Sequence, residues 1–136
     1  MLQGHCLCGS CGWTLKGNPQ SVTVCNCSAC RRYGVVWAYG IEGREIALTG
    51  AALRAWARPG AAELDYLFCG TCGCCLSWRA LEEGPEGRRI AVNLRLADDP
   101  ASVRDEKLHH FDGAVSFDDV EPEDVGVARH LRDLWF

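Results

Sequence analysis

The arrangement of cysteines constrains this chain more than any other feature. Cys6-Leu7-Cys8 stands near the start, Cys25-Asn26-Cys27-Ser28-Ala29-Cys30 follows, and Cys69-Gly70-Thr71-Cys72 lies in the middle. Such spacings let a short loop wrap thiolates around a tetrahedral zinc ion. The three motifs hold seven thiols, an odd number for sites that take four each. A structural zinc is closed by four protein ligands, whereas a catalytic zinc keeps three and leaves one position for water or substrate. Four plus three predicts two zinc ions, one structural and one catalytic.

Disulfides are the competing use of ten cysteines in 136 residues. A secreted disulfide scaffold goes with a signal peptide. The opening Met1-Leu2-Gln3-Gly4-His5-Cys6 has neither a basic region nor an apolar one. No stretch approaches the roughly 20 apolar residues of a membrane span. The expectation is a cytoplasmic protein with reduced thiols and no membrane partner. Adjacent cysteines such as Cys74 and Cys75, or pairs one residue apart, also suit metal ligation better than the demanding geometry of a disulfide.

Charge limits the partners further. The formal net charge is -4, and ligand thiolates add negative charge that zinc only partly cancels. Basic residues are scattered apart from Arg31-Arg32 and Arg88-Arg89, with no basic stripe interleaved with aromatics. Nucleic acid is therefore not an expected partner. The length suits one zinc-binding β domain over residues 1–136, and nothing in the residues speaks to oligomeric state.

Short β-branched or aromatic runs bounded by glycine or proline predict strands at Trp13–Leu15, Ser21–Val24, Val35–Tyr39 and Ile46–Leu48. Alternation over Leu53–Ala57 and Leu64–Phe68 predicts a hairpin that turns at Pro59-Gly60. Later candidates are Leu76–Trp78, Arg89–Leu94 and Lys107–Phe111. Two helical pieces are expected: a turn over Ser28–Tyr33, and a C-terminal segment in which Val127, Leu131 and Leu134 recur at helical spacing. Glu82–Gly87 reads as a surface loop. The domain is expected to be mainly β.

Gly70 and Gly73 permit a tight knuckle around Cys69 and Cys72, and Gly4 and Gly9 do the same around Cys6 and Cys8. Backbone N–H groups in such turns stabilise thiolates and lower their pKa. Spacing alone leaves open which pairs share an ion. The triplet Cys25, Cys27 and Cys30 differs because it offers three ligands locally, the last of them opening a helical turn.

Together Gly4-His5-Cys6-Leu7-Cys8-Gly9, Cys25-Asn26-Cys27-Ser28-Ala29-Cys30-Arg31-Arg32 and Phe68-Cys69-Gly70-Thr71-Cys72-Gly73 resemble the glutathione-dependent formaldehyde-activating enzyme family, which also includes centromere protein V. Weaker similarity continues through Leu94–Pro100, so that the resemblance spans about residues 4–110. It implies a β-tent of stacked antiparallel sheets around structural zinc. It also implies that Cys6, Cys8, Cys69 and Cys72 form the closed structural site while Cys25, Cys27 and Cys30 hold the catalytic zinc. The implied activity is that of a carbon-sulfur lyase: reversible addition of a small thiol to an aldehyde, as when glutathione and formaldehyde give S-hydroxymethylglutathione. The alternative is a non-catalytic zinc module for protein interaction or assembly, as the centromeric relatives suggest.

Arg31 and Arg32 follow the last ligand and are candidates to pair with substrate carboxylates, or else form plain surface salt bridges. Cys11, Cys74 and Cys75 lie outside the matched positions and read as small buried apolar residues. Cys74 or Cys75 is the alternative ligand for an ion left with three. His5 is expected at the surface. His109 and His110 fall on opposite faces of a strand, so one of them can face the site. Where family members often carry a lysine before a proline-tryptophan pair, this chain runs Asp112–Val120 and continues with Glu121, Glu123 and Asp124. That acidic run is either a solvated surface or, at the border of the site, repulsive to an anionic tripeptide.

Overall fold

A computed structural model describes residues 1–60, 62–121 and 128–134. The predicted runs become β2 (Gly12–Leu15), β3 (Val22–Cys25), β4 (Trp37–Ile41) and β5 (Ile46–Thr49). They are followed by β6 (Leu53–Ala57), β7 (Leu64–Cys69), β8 (Cys75–Ala80), β9 (Arg89–Asn93) and β10 (Leu108–Phe111). The expected turn at Ser28–Tyr33 is helix α1 (Cys30–Tyr33), ended by Gly34 in the left-handed region at φ 63°. Two short strands escaped the pattern: β1 (Leu2–His5), which has no β-branched residue to signal it, and the two-residue β11 (Asp119–Val120). The C-terminal segment is a single 3-10 turn at Leu131–Leu134, and Val127 lies outside the described residues.

Strands β1, β2 and β5 make a small antiparallel sheet, and the other eight run in the order β11-β10-β3-β4-β9-β8-β7-β6. The expectation of stacked antiparallel sheets holds with one exception: β10 lies parallel to β3, aligning His110 with Val24 and Phe111 with Cys25. A parallel neighbour has to arrive by a long connection. The chain from β4 to β9 intervenes, so β10 returns to the free edge of β3 late in the sequence.

Trp13, Leu15 and Ile46 of the small sheet pack against Val22, Ala38, Leu76, Ile90, Val92 and Leu108 of the large one in the main core. Burial of each aliphatic side chain stabilises the fold by about 1.5–3 kcal/mol. The central strand β9 is buried on both faces: Ile90 and Val92 belong to this core, while Ala91 faces a second cluster with Ala29, Cys30, Val35, Trp37, Tyr66 and Cys75. The register of β7 on β8 slips so that Leu67 meets Ser77 and Phe68 meets Cys75. Leu76 is the extra residue of this bulge and is completely buried. Asn93 locks the junction: its Oδ1 accepts from the N–H groups of Val36 (3.2 Å) and Arg95 (3.1 Å), and its Nδ2 donates to the Cys75 carbonyl at 3.0 Å.

Candidate metal centres

Two knuckles of the same design bring the first four thiols together. The Cys6 N–H donates to the Cys11 carbonyl at 2.9 Å, and the Cys69 N–H donates to the Cys74 carbonyl at 3.0 Å. Inside each loop a glycine turns the chain, Gly9 at φ 75° and Gly73 at φ 77°. Cys11 and Cys74 thus hold equivalent places, each closing one knuckle through its backbone carbonyl.

The Sγ atoms of Cys6, Cys8, Cys69 and Cys72 all lie within 4.8 Å of one another. The Cys6–Cys8 and Cys8–Cys69 separations are both 3.6 Å. A tetrahedron with 2.3 Å zinc–sulfur bonds places its sulfurs about 3.8 Å apart, whereas a disulfide needs about 2 Å. All ten cysteines are free thiols. Cys8 is held below the ordinary thiol value by the Ser10 hydroxyl, Cys69 by the Cys72 N–H and Cys72 by the Cys74 N–H. Burial pushes Cys6 up to about 12. The Cys11 N–H, 3.3 Å from Cys6 Sγ, acts against that rise, and a cation on these sulfurs would offset the desolvation further.

The second cluster is local. Cys25 ends β3, Cys27 sits in the turn and Cys30 opens α1, and their three Sγ atoms also lie within 4.8 Å of one another. The Cys27 N–H donates to Cys25 Sγ and the Cys30 N–H to Cys27 Sγ, both at 3.4 Å. The buried Trp37 indole N–H donates to Cys30 Sγ at 3.3 Å. Cys25 is drawn down to about 5, chiefly by the Cys30 thiol and then by the N–H groups of Cys27 and Gly113. Cys30 is pushed up by that same contact and by burial. Negative charge is thus favoured on Cys25 over Cys30, in a donor set that suits zinc.

Cys25 and Cys30 also line a cavity of about 550 Å³. Its walls come from β3 (Val24), the segment after α1 (Val35, Val36), β10 (His110, Phe111), β11 (Val120) and the C-terminal turn (Leu134). Neither Cys74 nor Cys75 joins the Cys25 cluster. Three sulfurs face one another beside an open space, and among the described residues no fourth ligand closes the set.

A strap holds this cluster from outside. Asn26, between two of the thiols, donates through Nδ2 to Asp112 Oδ1 at 2.8 Å and accepts through Oδ1 from the Ala114 N–H at 3.0 Å. The Asp112 carboxylate also accepts from the N–H groups of Val115 and Ser116 and from the Ser116 hydroxyl. These donors, Asn26 first, hold Asp112 down at about 2. Gly113 is pressed so close that a Cβ there would stand 2.7 Å from Cys25 Sγ.

Of the arginines singled out in the sequence, Arg31 lines the cavity, while Arg32 turns back to donate to the Ser28 carbonyl at 2.8 Å. His5 is exposed and pairs with Asp98 at 2.8 Å. His109 is exposed and His110 buried, as strand alternation requires. Asp112, Asp118, Asp119 and Glu121 do not line the cavity, and Glu123 and Asp124 lie outside the described residues. Arg95 was not anticipated. It lines the cavity from the 3-10 turn Leu94–Leu96, a position set by the Asn93 cap rather than by any motif.

Fold and sites define a small β protein built around two cysteine clusters, one of four sulfurs and one of three beside a cavity. The chain belongs to the glutathione-dependent formaldehyde-activating enzyme family, whose model matches residues 1–113. No curated protein matches the sequence. A crystal structure of a Rhodobacter sphaeroides protein, a structural genomics target, is 21% identical and aligns over 93% of this chain and 96% of that one. Its TM-score of 0.57 shows a shared fold. Among the described residues no helix is long and apolar enough to cross a membrane.

Proposed function

We propose that the chain is a zinc-dependent carbon-sulfur lyase that reversibly adds a small thiol, glutathione or similar, to an aldehyde such as formaldehyde. The observation that carries this reading is the placing of Cys25 and Cys30 at once in a three-thiol cluster and in the wall of a 550 Å³ cavity. Cys6, Cys8, Cys69 and Cys72 serve as the structural ligands, and Cys25, Cys27 and Cys30 as the catalytic ones. Bound zinc supplies one exchangeable position at which a substrate thiol loses its proton near neutral pH.

The chain's own residues do the rest. Trp37 and the N–H groups of Cys27, Cys30 and Gly113 hold the three sulfurs that would bind the zinc, two of them in the cavity wall. The cavity brings thiol and aldehyde together, which lowers the entropic part of the barrier. In the addition a carbon-sulfur bond forms as the carbonyl π bond breaks, and the thiol proton ends on the former carbonyl oxygen. The reverse breaks the same bond. Ten free thiols accord with a reducing compartment such as the cytoplasm.

The test is exchange NMR of glutathione and formaldehyde with the protein loaded with two zinc ions. Exchange cross-peaks should strengthen with protein and vanish in Cys27→Ser. No acceleration with glutathione or with several other thiols, the second zinc being present, would leave the non-catalytic module as the better reading.

A further inference from the structure

Arginines on this protein are nearly all engaged. Arg79 pairs with Asp65 and Glu42, Arg88 with Glu42, and Arg58 donates to the Ser28 hydroxyl. Arg89 stands over the Trp78 ring. Arg31 and Arg95 are different: both line the Cys25 cavity, and neither has an ion pair or side-chain hydrogen bond to any described residue. They come from separate elements, α1 and the turn after β9, so their convergence on one space is a product of the fold. The remaining wall is mostly aliphatic or aromatic, with no acidic residue among its described members.

We infer that the cavity takes a thiol bearing a carboxylate on an apolar body, with Arg31 and Arg95 as the carboxylate clamp and Val24, Val35, Phe111 and Val120 as the cradle for the body. The inference rests on reading Cys25, Cys27 and Cys30 as an open metal site. Guanidinium groups prefer planar anions, which they bind through paired N–H donors. A cavity of this size encloses a ligand of a dozen or so heavy atoms, and specificity in such pockets comes from a few polar groups set in apolar walls. With the sulfur at the cluster and the carboxylate at the arginines, an apolar spacer meets a wall that is apolar apart from Asn26 and His110. A ligand that is polar along its whole length fills that wall less well.

The experiment uses zinc-loaded protein and three probes in titration calorimetry: 3-phenylpropanoate, its uncharged amide, and succinate. The acid should bind at least tenfold more tightly than either of the others. Arg95→Gln and Arg31→Gln should each weaken the acid about tenfold and leave the amide unchanged, and Arg95→Lys should restore part of the loss. Equal binding of acid and amide, or preference for succinate, overturns the inference. So does an acid preference that survives both glutamine variants, since the carboxylate would then sit on the metal and the arginines would only balance thiolate charge. Exchange NMR on the same samples separates the two readings. Acid preference without catalysed exchange removes the lyase and keeps the ligand class, while exchange without acid preference does the reverse.

Discussion

Asn26 and Asp112 meet at 2.8 Å across 86 residues of sequence, joining the loop between two cluster cysteines to the loop after β10. Asn26 serves the other loop by accepting from the Ala114 N–H, while Asp112 gathers the N–H groups of its own loop around Ser116 and so presents its carboxylate to Asn26. Groups of this kind, one step behind the ligands, typically govern metal affinity by 10–100-fold. Asn26→Ala should therefore speed chelator extraction of one zinc by about tenfold or more and leave the other unaffected. Two-phase release measured with a colorimetric chelator checks this, and an unchanged fast phase would refute it.

Gly113→Ala should be more severe. The added methyl would stand 2.7 Å from Cys25 Sγ and 2.9 Å from Cys27 Cβ, so strap or cluster has to move. Metal content is expected to fall from two ions per chain towards one, with far-UV circular dichroism unchanged because the main core lies on the other side of the large sheet.

The closed cluster should behave oppositely. Cys6 and Cys69 are almost fully buried and belong to the main core, so a metal bound there would, on its loss, leave desolvated thiols in the middle of the fold. Cys69→Ser should prevent folding at 37 °C, whereas Cys25→Ser should give folded protein with one zinc. Thermal unfolding followed with metal analysis distinguishes them.

His110 is 7% exposed, and both its ring nitrogens lack a hydrogen-bond partner. Burial lowers its pKa below the ordinary 6.5, and the charge of His109 acts in the same direction. The Ala128 backbone opposes the shift without completing a hydrogen bond. The unfolded chain thus binds more protons than the folded one just below pH 6.5, and stability falls as pH drops through that window. His110→Leu should raise stability by about 1 kcal/mol at neutral pH and flatten the slope between pH 6.5 and 5. Denaturant titrations of both proteins at several pH values read the difference.

Asn93→Ala should cost about 2–4 kcal/mol, because it strands the Val36 and Arg95 N–H groups and the Cys75 carbonyl together. The same change frees the turn that carries Arg95, so any ligand preference that depends on Arg95 should weaken with it.

Much of this was legible from residue order. Nine of the eleven strands follow from alternation and from β-branched runs, and both clusters follow from cysteine spacing and the family resemblance. What escaped depends on contacts far apart in sequence. Arg95 lies in the weakly similar segment Leu94–Pro100, but its place is set by a cap from Asn93 and by a cavity whose other walls come from distant strands. The roles of Asn26 and Gly113 exist only because β10 lies beside β3 and brings their loops together. Local patterning also carried no sign that this pairing is parallel, because strand direction follows from the path of the whole chain.

That parallel pairing separates two events in time. The three thiols Cys25, Cys27 and Cys30 span six residues and close almost without entropic cost, whereas the strand that walls their cavity lies more than 80 residues downstream. Loop closure of that length is among the slowest contacts a small domain makes. The three thiols are therefore expected to come together before they have a pocket, and the arrival of β10 would turn an exposed loop into an enclosed site.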